Sequence, residues 1–299
     1  MLTVKGNGKG DNDDLRRNKP KPVSQGRWSF GASALAILLA FAAMANIGVY
    51  GDPQSKSSDE TQCLLEQPKL TLYYFNTKSR GEAIRLFCAY AGLELNDITL
   101  GGDSFRGLKK NSKLDFSKVP MLEINDGEHY LVQTSAILRY LATLAKKHPS
   151  DPIAAAKVDA SLDQVHDTFL KLQSVMYSEM FGLTPISENE DLWDEAMENM
   201  NENMVPKDLQ KVEDHIQKST SGWMADTTEP SAADFYWYVF LNYHIKGNKW
   251  LDESLRQLEA YPGLRNLLEK LSELEAIQAF YRERAASGKT PISGQPRKF

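Results

Sequence analysis

The chain has 299 residues, with 35 Lys and Arg against 40 Asp and Glu, a formal net charge of −5. This mildly acidic balance excludes a broad nucleic-acid footprint, and the length suits two modest domains rather than one. Only two cysteines occur, Cys63 and Cys88, with no C-x-x-C and no Cys/His cluster, which leaves no motif for dithiol redox chemistry or structural zinc.

Residues 1–29 are mostly Gly, Asn, Asp, Lys and Arg, and read as a disordered basic N-terminus. Residues 30–50 contain "FGASALAILLAFAAMANIGV", a run without a charge. At about 1.5 Å per residue such a run can cross a hydrocarbon core of about 30 Å. Arg16, Arg17, Lys19, Lys21 and Arg27 precede it, whereas Asp52, Asp59 and Glu60 follow. The positive-inside bias therefore predicts a single-pass membrane anchor over residues 30–50 with a cytosolic N-terminus. A cleaved signal is the rival reading: the run Ala34 to Ala45 has the length of a signal-peptide core, and Ala43 and Ala45 have the A-x-A form. That reading predicts a secreted or lumenal chain. Residues 51–67 are a polar linker.

From Lys69 the elements alternate. "KLTLYYF" reads as a strand and "SRGEAIRLFCAYAGL" as a helix, with Ile84, Phe87, Cys88 and Ala91 on one face. Cys88 thus reads as core packing. "NDITL" is a short strand, and a Lys-rich segment from Phe105 to Lys113 crosses over to "VPMLEI". Asn125–Gly127, "NDG", turns that strand into "HYLVQ" as a hairpin, and "TSAILRYLATLA" closes the unit as a helix. The order βαβ then ββα predicts a mixed sheet flanked by helices over residues 68–147. Beyond Pro149 the pattern is helical through residues 150–286, with a frayed tail at 287–299. Ser231 and Asp234 have capping-box spacing before an aromatic helix, a structural role.

Pro120 stands one residue into a strand, where it removes a ladder donor. A trans proline at a strand start is one reading. A cis bond would instead leave the N–H and C=O of Val119 open to a peptide-like ligand.

Together these segments resemble the glutathione transferases in their tyrosine-using classes. "YYFNTKSRGEAIRL" resembles the family's first strand, catalytic tyrosine and first helix; "KVPML" its cis-proline strand; "LVQTSAILRYLA" its γ-glutamyl site; "AAAKVDA" and "SAADF" its all-α domain. The resemblance covers about residues 68–285. It implies an α/β thioredoxin-like domain followed by an all-α domain, glutathione as cosubstrate without a metal, conjugation to a small electrophile or else glutathione-dependent isomerisation or peroxide reduction, and a homodimer. Residue by residue it implies Tyr74 as the catalytic phenol and Arg80 near the sulfur or the glycine end. Val119, preceding Pro120, would bond the cysteinyl backbone, Gln133 and Thr134 the γ-glutamyl carboxylate, and Asp159 the amine in the partner subunit. Lys109, with Lys110 as rival, is assigned to the glycyl carboxylate. Where the family has Arg-Gly-Arg, this chain has Lys78-Ser79-Arg80. Some classes use a serine at this helix start, so Ser79 stays open as a rival to Tyr74. The second-substrate pocket is expected near Tyr177–Phe181 and the C-terminal helix. A non-catalytic binding protein on the same fold is the alternative function, and turnover against binding alone separates the two.

Overall fold

Strand β1 (Leu70–Tyr74) is built by alternation: Leu70, Leu72 and Tyr74 are buried on one face, and Thr71 and Tyr73 turn to the other. The computed structural model describes residues 67–111 and 114–288. β2 (Asn96–Thr99) pairs parallel to β1, while β3 (Met121–Ile124) pairs antiparallel to both β1 and β4 (His129–Val132), in the sheet order β2-β1-β3-β4. The hairpin turn is Asn125–Gly127, with φ of 51°, 55° and 100°. These are left-handed values that Asn, Asp and Gly tolerate best. Helix α1 (Arg80–Ala91) joins β1 to β2, and the Lys-rich crossover forms helix α2 (Gly102–Lys110). Helix α3 (Thr134–Leu144) follows β4. The mixed sheet flanked by helices is thus the expected thioredoxin-like arrangement.

Helices alone follow. α4 (Pro152–Met176) starts where the Asp151 carboxylate accepts from the Ala154 N–H at 2.8 Å. α5 (Glu190–Asn199) passes through a π-turn, Met200–Met204, into α6 (Val205–Ile216). α7 (Ala232–Val239) is buried along its whole length and continues as a second π-turn, Phe240–Ile245. After the single turn Glu253–Arg256 come α8 (Pro262–Ser272) and α9 (Glu275–Ala286). Asp234 holds the start of α7: one oxygen accepts from the Ser231 N–H and hydroxyl, both at 2.7 Å, and the other from the Met224 N–H at 2.7 Å. Burial outweighs these bonds and raises the Asp234 pKa.

One apolar core joins the sheet to the helices. Phe87 of α1 meets Phe235 of α7 edge to face at 5.6 Å, and Phe169 of α4 lies 5.8 Å from Phe240. Each such fully buried ring is worth roughly 1.5–3 kcal/mol. A smaller cluster around Leu114, Met121 and Val132, with Tyr73 and Phe105 against it, covers the other face of the sheet.

Residues 1–29, the apolar segment 30–50, nearly all of the 51–67 linker and most of the 287–299 tail lie outside the described residues. Among the described residues no helix is long and apolar enough to cross a membrane. The longest, α4, has 25 residues but carries Lys157, Asp159, Asp163, Asp167 and Lys171.

Candidate active site

Strand register gathers the implied site residues at one end of the sheet. Tyr73 pairs with Met121, and Met121 with Val132. The next residues outward are therefore Tyr74 on β1, Pro120 on β3 and Gln133 after β4. The Val119–Pro120 bond is cis, the form the resemblance implies. The two tyrosines diverge: Tyr73 donates from its hydroxyl to Glu123 Oε2 at 3.3 Å on one face, whereas the Tyr74 ring, 7% exposed, packs on the other. Gly81 lets α1 touch that ring, since a Cβ there would stand 2.3 Å from Tyr74 Cδ1.

The loop from Tyr74 to Ser79 is braced from inside. Arg85, nearly fully buried, forks onto both oxygens of Asp97 at 2.8 and 2.9 Å and donates to Glu82 at 3.2 Å. The same guanidinium donates to the carbonyls of Phe75 and Thr77, at 3.4 and 3.3 Å. Arg284 of α9 adds a bond to Glu82 at 2.9 Å and one to Asn76 at 3.3 Å. A charge pair this deep is weak evidence for net stability, but removing one partner strands the other. Here it fixes the loop next to the phenol. Lys78 lies over the rings of Tyr243 and Tyr281, at 5.0 and 5.4 Å. Those two hydroxyls are 2.8 Å apart, and burial raises both phenols.

Arg80 opens α1. Its Nη2 donates to Gln173 Oε1 at 2.8 Å, and its guanidinium lies 4.5 Å over the Phe169 ring. Gln133 adopts φ 74° just before Thr134, the first residue of α3, whose N-terminus favours an anion. Thr134 Oγ1, Tyr236 Oη and Arg80 Nε are buried together, the Tyr236 hydroxyl facing both Arg80 and Thr134. Lys109 sits exposed on α2, its Nζ 4.4 Å over the Phe105 ring, which meets Phe75 edge to face at 5.3 Å. Asp159 is not brought to this end. Its Oδ1 accepts from Arg139 Nε at 2.7 Å, within its own chain.

A cavity of about 280 Å³ opens beside Tyr74, between Ser79, α4 and the π-turn after α7. Tyr177 and Met180 line it, as expected from sequence, and no residue of α9 does. Three further stretches were not foreseen: Phe169 to Met176, Tyr243–His244, and Gly247 to Trp250. Ser79 Oγ and His244 Nε2 share a hydrogen bond of 3.2 Å on its wall. Burial, reinforced by the Arg80 charge, pushes the His244 imidazole down to about 3. It is neutral at pH 7.

Two family models match: "Glutathione S-transferase, N-terminal domain" over residues 68–143 and "Glutathione S-transferase, C-terminal domain" over residues 179–284. "Glutathione S-transferase A1" of Bos taurus is 32% identical over 71% of this chain and 87% of its own length. The chain belongs to the glutathione S-transferase family. "Hematopoietic prostaglandin D synthase" of Gallus gallus is 29% identical, over 73% of this chain and 97% of that protein. The crystal structure of the glutathione S-transferase from Ascaris lumbricoides superposes with a TM-score of 0.60 at 25% identity, covering 73% of this chain and 98% of that one. As a glutathione S-transferase the chain is an enzyme that takes glutathione as cosubstrate and activates its thiol for transfer to an electrophile. Both family models start at residue 68 or later, and no described helix can cross a membrane. The single-pass localisation expected from residues 30–50, with its signal-cleaved alternative, is corrected by the likeness to glutathione S-transferases.

Proposed function

We propose that this glutathione transferase ionises the bound thiol with Tyr74 and holds the tripeptide along the sheet end. In this reading Val119, beside Pro120, bonds the cysteinyl backbone. Gln133 and Thr134 take the γ-glutamyl carboxylate, and Lys109 meets the glycyl end. Arg80 adds positive potential near the sulfur. The supporting observation is the register that brings Tyr74, the cis Val119–Pro120 bond and Gln133–Thr134 to one edge, beside a cavity that can admit a second substrate. Residues 68–147 form the glutathione-binding domain and residues 150–286 the all-α domain that closes the cavity.

The energetics are sufficient. A thiol with a pKa of about 8.5 is mostly protonated at neutral pH. Lowering it by about two units needs roughly 2.7 kcal/mol of preferential thiolate stabilisation. A hydrogen bond to a charged group supplies about 1.5–3 kcal/mol. The phenol donor therefore covers most of the requirement, and the N-terminus of α1 with Arg80 covers the rest. The thiolate is the nucleophile; the protein contributes ionisation and position.

The active form in this reading is a homodimer. Phe116, 77% exposed beside the cis-proline strand, supplies an apolar contact for a second copy. Asp159 is the residue that the dimer sends to the partner's glutathione amine, at the expense of its bond to Arg139. The deciding experiment is turnover of glutathione with chlorodinitrobenzene by the full chain and by Tyr74→Phe. The wild type should turn over. The variant should be slower by about 10–100-fold, the scale of one to two pKa units, with glutathione affinity little changed. Binding without turnover by the wild type would establish a non-catalytic protein, and a larger loss in Ser79→Ala than in Tyr74→Phe would move the role to Ser79.

A further inference from the structure

Ser79 and His244 are 165 positions apart, yet they share a hydrogen bond inside the cavity that Tyr74 also lines. The imidazole is fixed on two sides, with the Phe169 ring at 4.3 Å edge to face and the Phe240 ring stacked at 6.1 Å. Its position depends on the π-turn Phe240–Ile245, closed by the Lys246 N–H donating to the Leu241 carbonyl at 2.8 Å. Such wide turns inside helices recur at functional sites. The charged group acting on this imidazole is Arg80, which together with burial keeps it uncharged. A neutral imidazole has one N–H. The 3.2 Å contact fits either donor direction; with the proton on Nε2, His244 donates to Ser79 Oγ and the serine's own proton is free for a partner in the cavity.

We propose that Ser79 donates a hydrogen bond to the second substrate and that His244 is the residue positioning it. The site then favours electrophiles whose charge collects on one oxygen, namely α,β-unsaturated carbonyl compounds, over aryl halides whose charge spreads through the ring and several nitro oxygens. This rests on the thiolate reading given for Tyr74. The sulfur attacks the β-carbon, forming the S–C bond, and the C=C electron pair moves onto the carbonyl oxygen as an enolate. Ser79 O–H stabilises that oxygen. The proton that the thiol lost on ionisation returns to the α-carbon, so the addition balances without a co-reactant. Chlorodinitrobenzene places its charge in the ring and nitro groups and then expels chloride, which gives a single fixed donor less to act on.

The test measures kcat/KM with glutathione for a 2-alkenal and for chlorodinitrobenzene. It uses the full-length wild type, Ser79→Ala, Ser79→Thr, His244→Phe and His244→Gln. The alkenal-to-chlorodinitrobenzene ratio should fall about 10–100-fold in Ser79→Ala and His244→Phe, up to the lower bound of about 100-fold for a lost oxyanion-hole donor. Ser79→Thr and His244→Gln keep a hydroxyl and a donor, and should restore the ratio to within about threefold, an outcome that simple packing at these positions would not give. An equal loss for both electrophiles would overturn the proposal by placing Ser79 on the thiolate. An unchanged ratio, or a wild type that turns over chlorodinitrobenzene but no alkenal, would also overturn it. A wild type inactive with both electrophiles would overturn the thiolate reading itself. If His244→Phe does not fold, the Ser79→Ala and Ser79→Thr pair decides alone.

Discussion

Replacing Gly81 by alanine should silence the enzyme while leaving it folded. The added Cβ would stand 2.3 Å from Tyr74 Cδ1, 2.6 Å from Cγ and 3.0 Å from Cβ. Carbon atoms in contact prefer about 3.5–4.0 Å. The ring must therefore retreat by more than about 1 Å. Little slack is available, because Phe75 lies 5.6 Å from the ring and the Arg85 guanidinium 5.8 Å, and Tyr74 is already buried. A reacting group misplaced by about 1 Å costs on the order of 100-fold in rate. Stability should move far less. Overpacking costs about 1–3 kcal/mol, while alanine in place of glycine inside a helix recovers up to about 1 kcal/mol. The net loss of about 0–3 kcal/mol is survivable against a typical reserve of about 5–15 kcal/mol. The assay pairs kcat/KM for glutathione and chlorodinitrobenzene with urea unfolding and with the pKa of the bound thiol, read from thiolate absorbance. The bound pKa should rise toward the free value as activity falls. A folded Gly81→Ala protein with wild-type kcat/KM would refute the reasoning, because the phenol would then not need its place.

Cys88 is neutral in the fold: burial pushes its thiol from 9.0 up to about 12. A group raised in the folded state stabilises below its unfolded pKa and loses that contribution as pH climbs, here between about 9 and 12. Urea midpoints should thus decline over that window, less so in Cys88→Ala, and peptide mapping should find Cys88 unlabelled by iodoacetamide near neutral pH until the chain is unfolded. Asp234→Ala leaves the buried Met224 and Ser231 N–H groups without their acceptor, so chemical denaturation should register a loss of about 3–5 kcal/mol, whereas Asp234→Asn, which keeps one carbonyl oxygen, should lose less. Phe116→Ser should shift sedimentation from dimer to monomer; a wild type that is already a fully active monomer sinks the dimer reading. Asp159→Ala should weaken glutathione binding about tenfold with the dimer intact, in the range for a hydrogen bond to a charged group, and unchanged affinity would leave Asp159 as the partner of Arg139 alone.

What the sequence by itself determined is local. Period-two alternation over Leu70–Tyr74 separates Tyr73 from Tyr74 onto opposite faces, because successive side chains on a strand point to opposite sides. The Asn125–Gly127 turn and the cap at Ser231–Asp234 were legible for the same reason: each is a backbone requirement met by side chains within a few residues. Tertiary structure alone decided the partners of the charges and the wall of the cavity. Arg80 meets Gln173 across 93 positions, Ser79 meets His244 across 165, and Arg284 reaches Glu82 across 202. Asp159 could be read as a solvated helix charge or as a reach across an interface, and its Arg139 partner on a neighbouring helix is visible only once the helices are packed. Spacing along one helix says which residues share a face. It cannot say what that face meets, because helix crossings and a π-turn such as Phe240–Ile245 rotate each face by amounts set by the whole core.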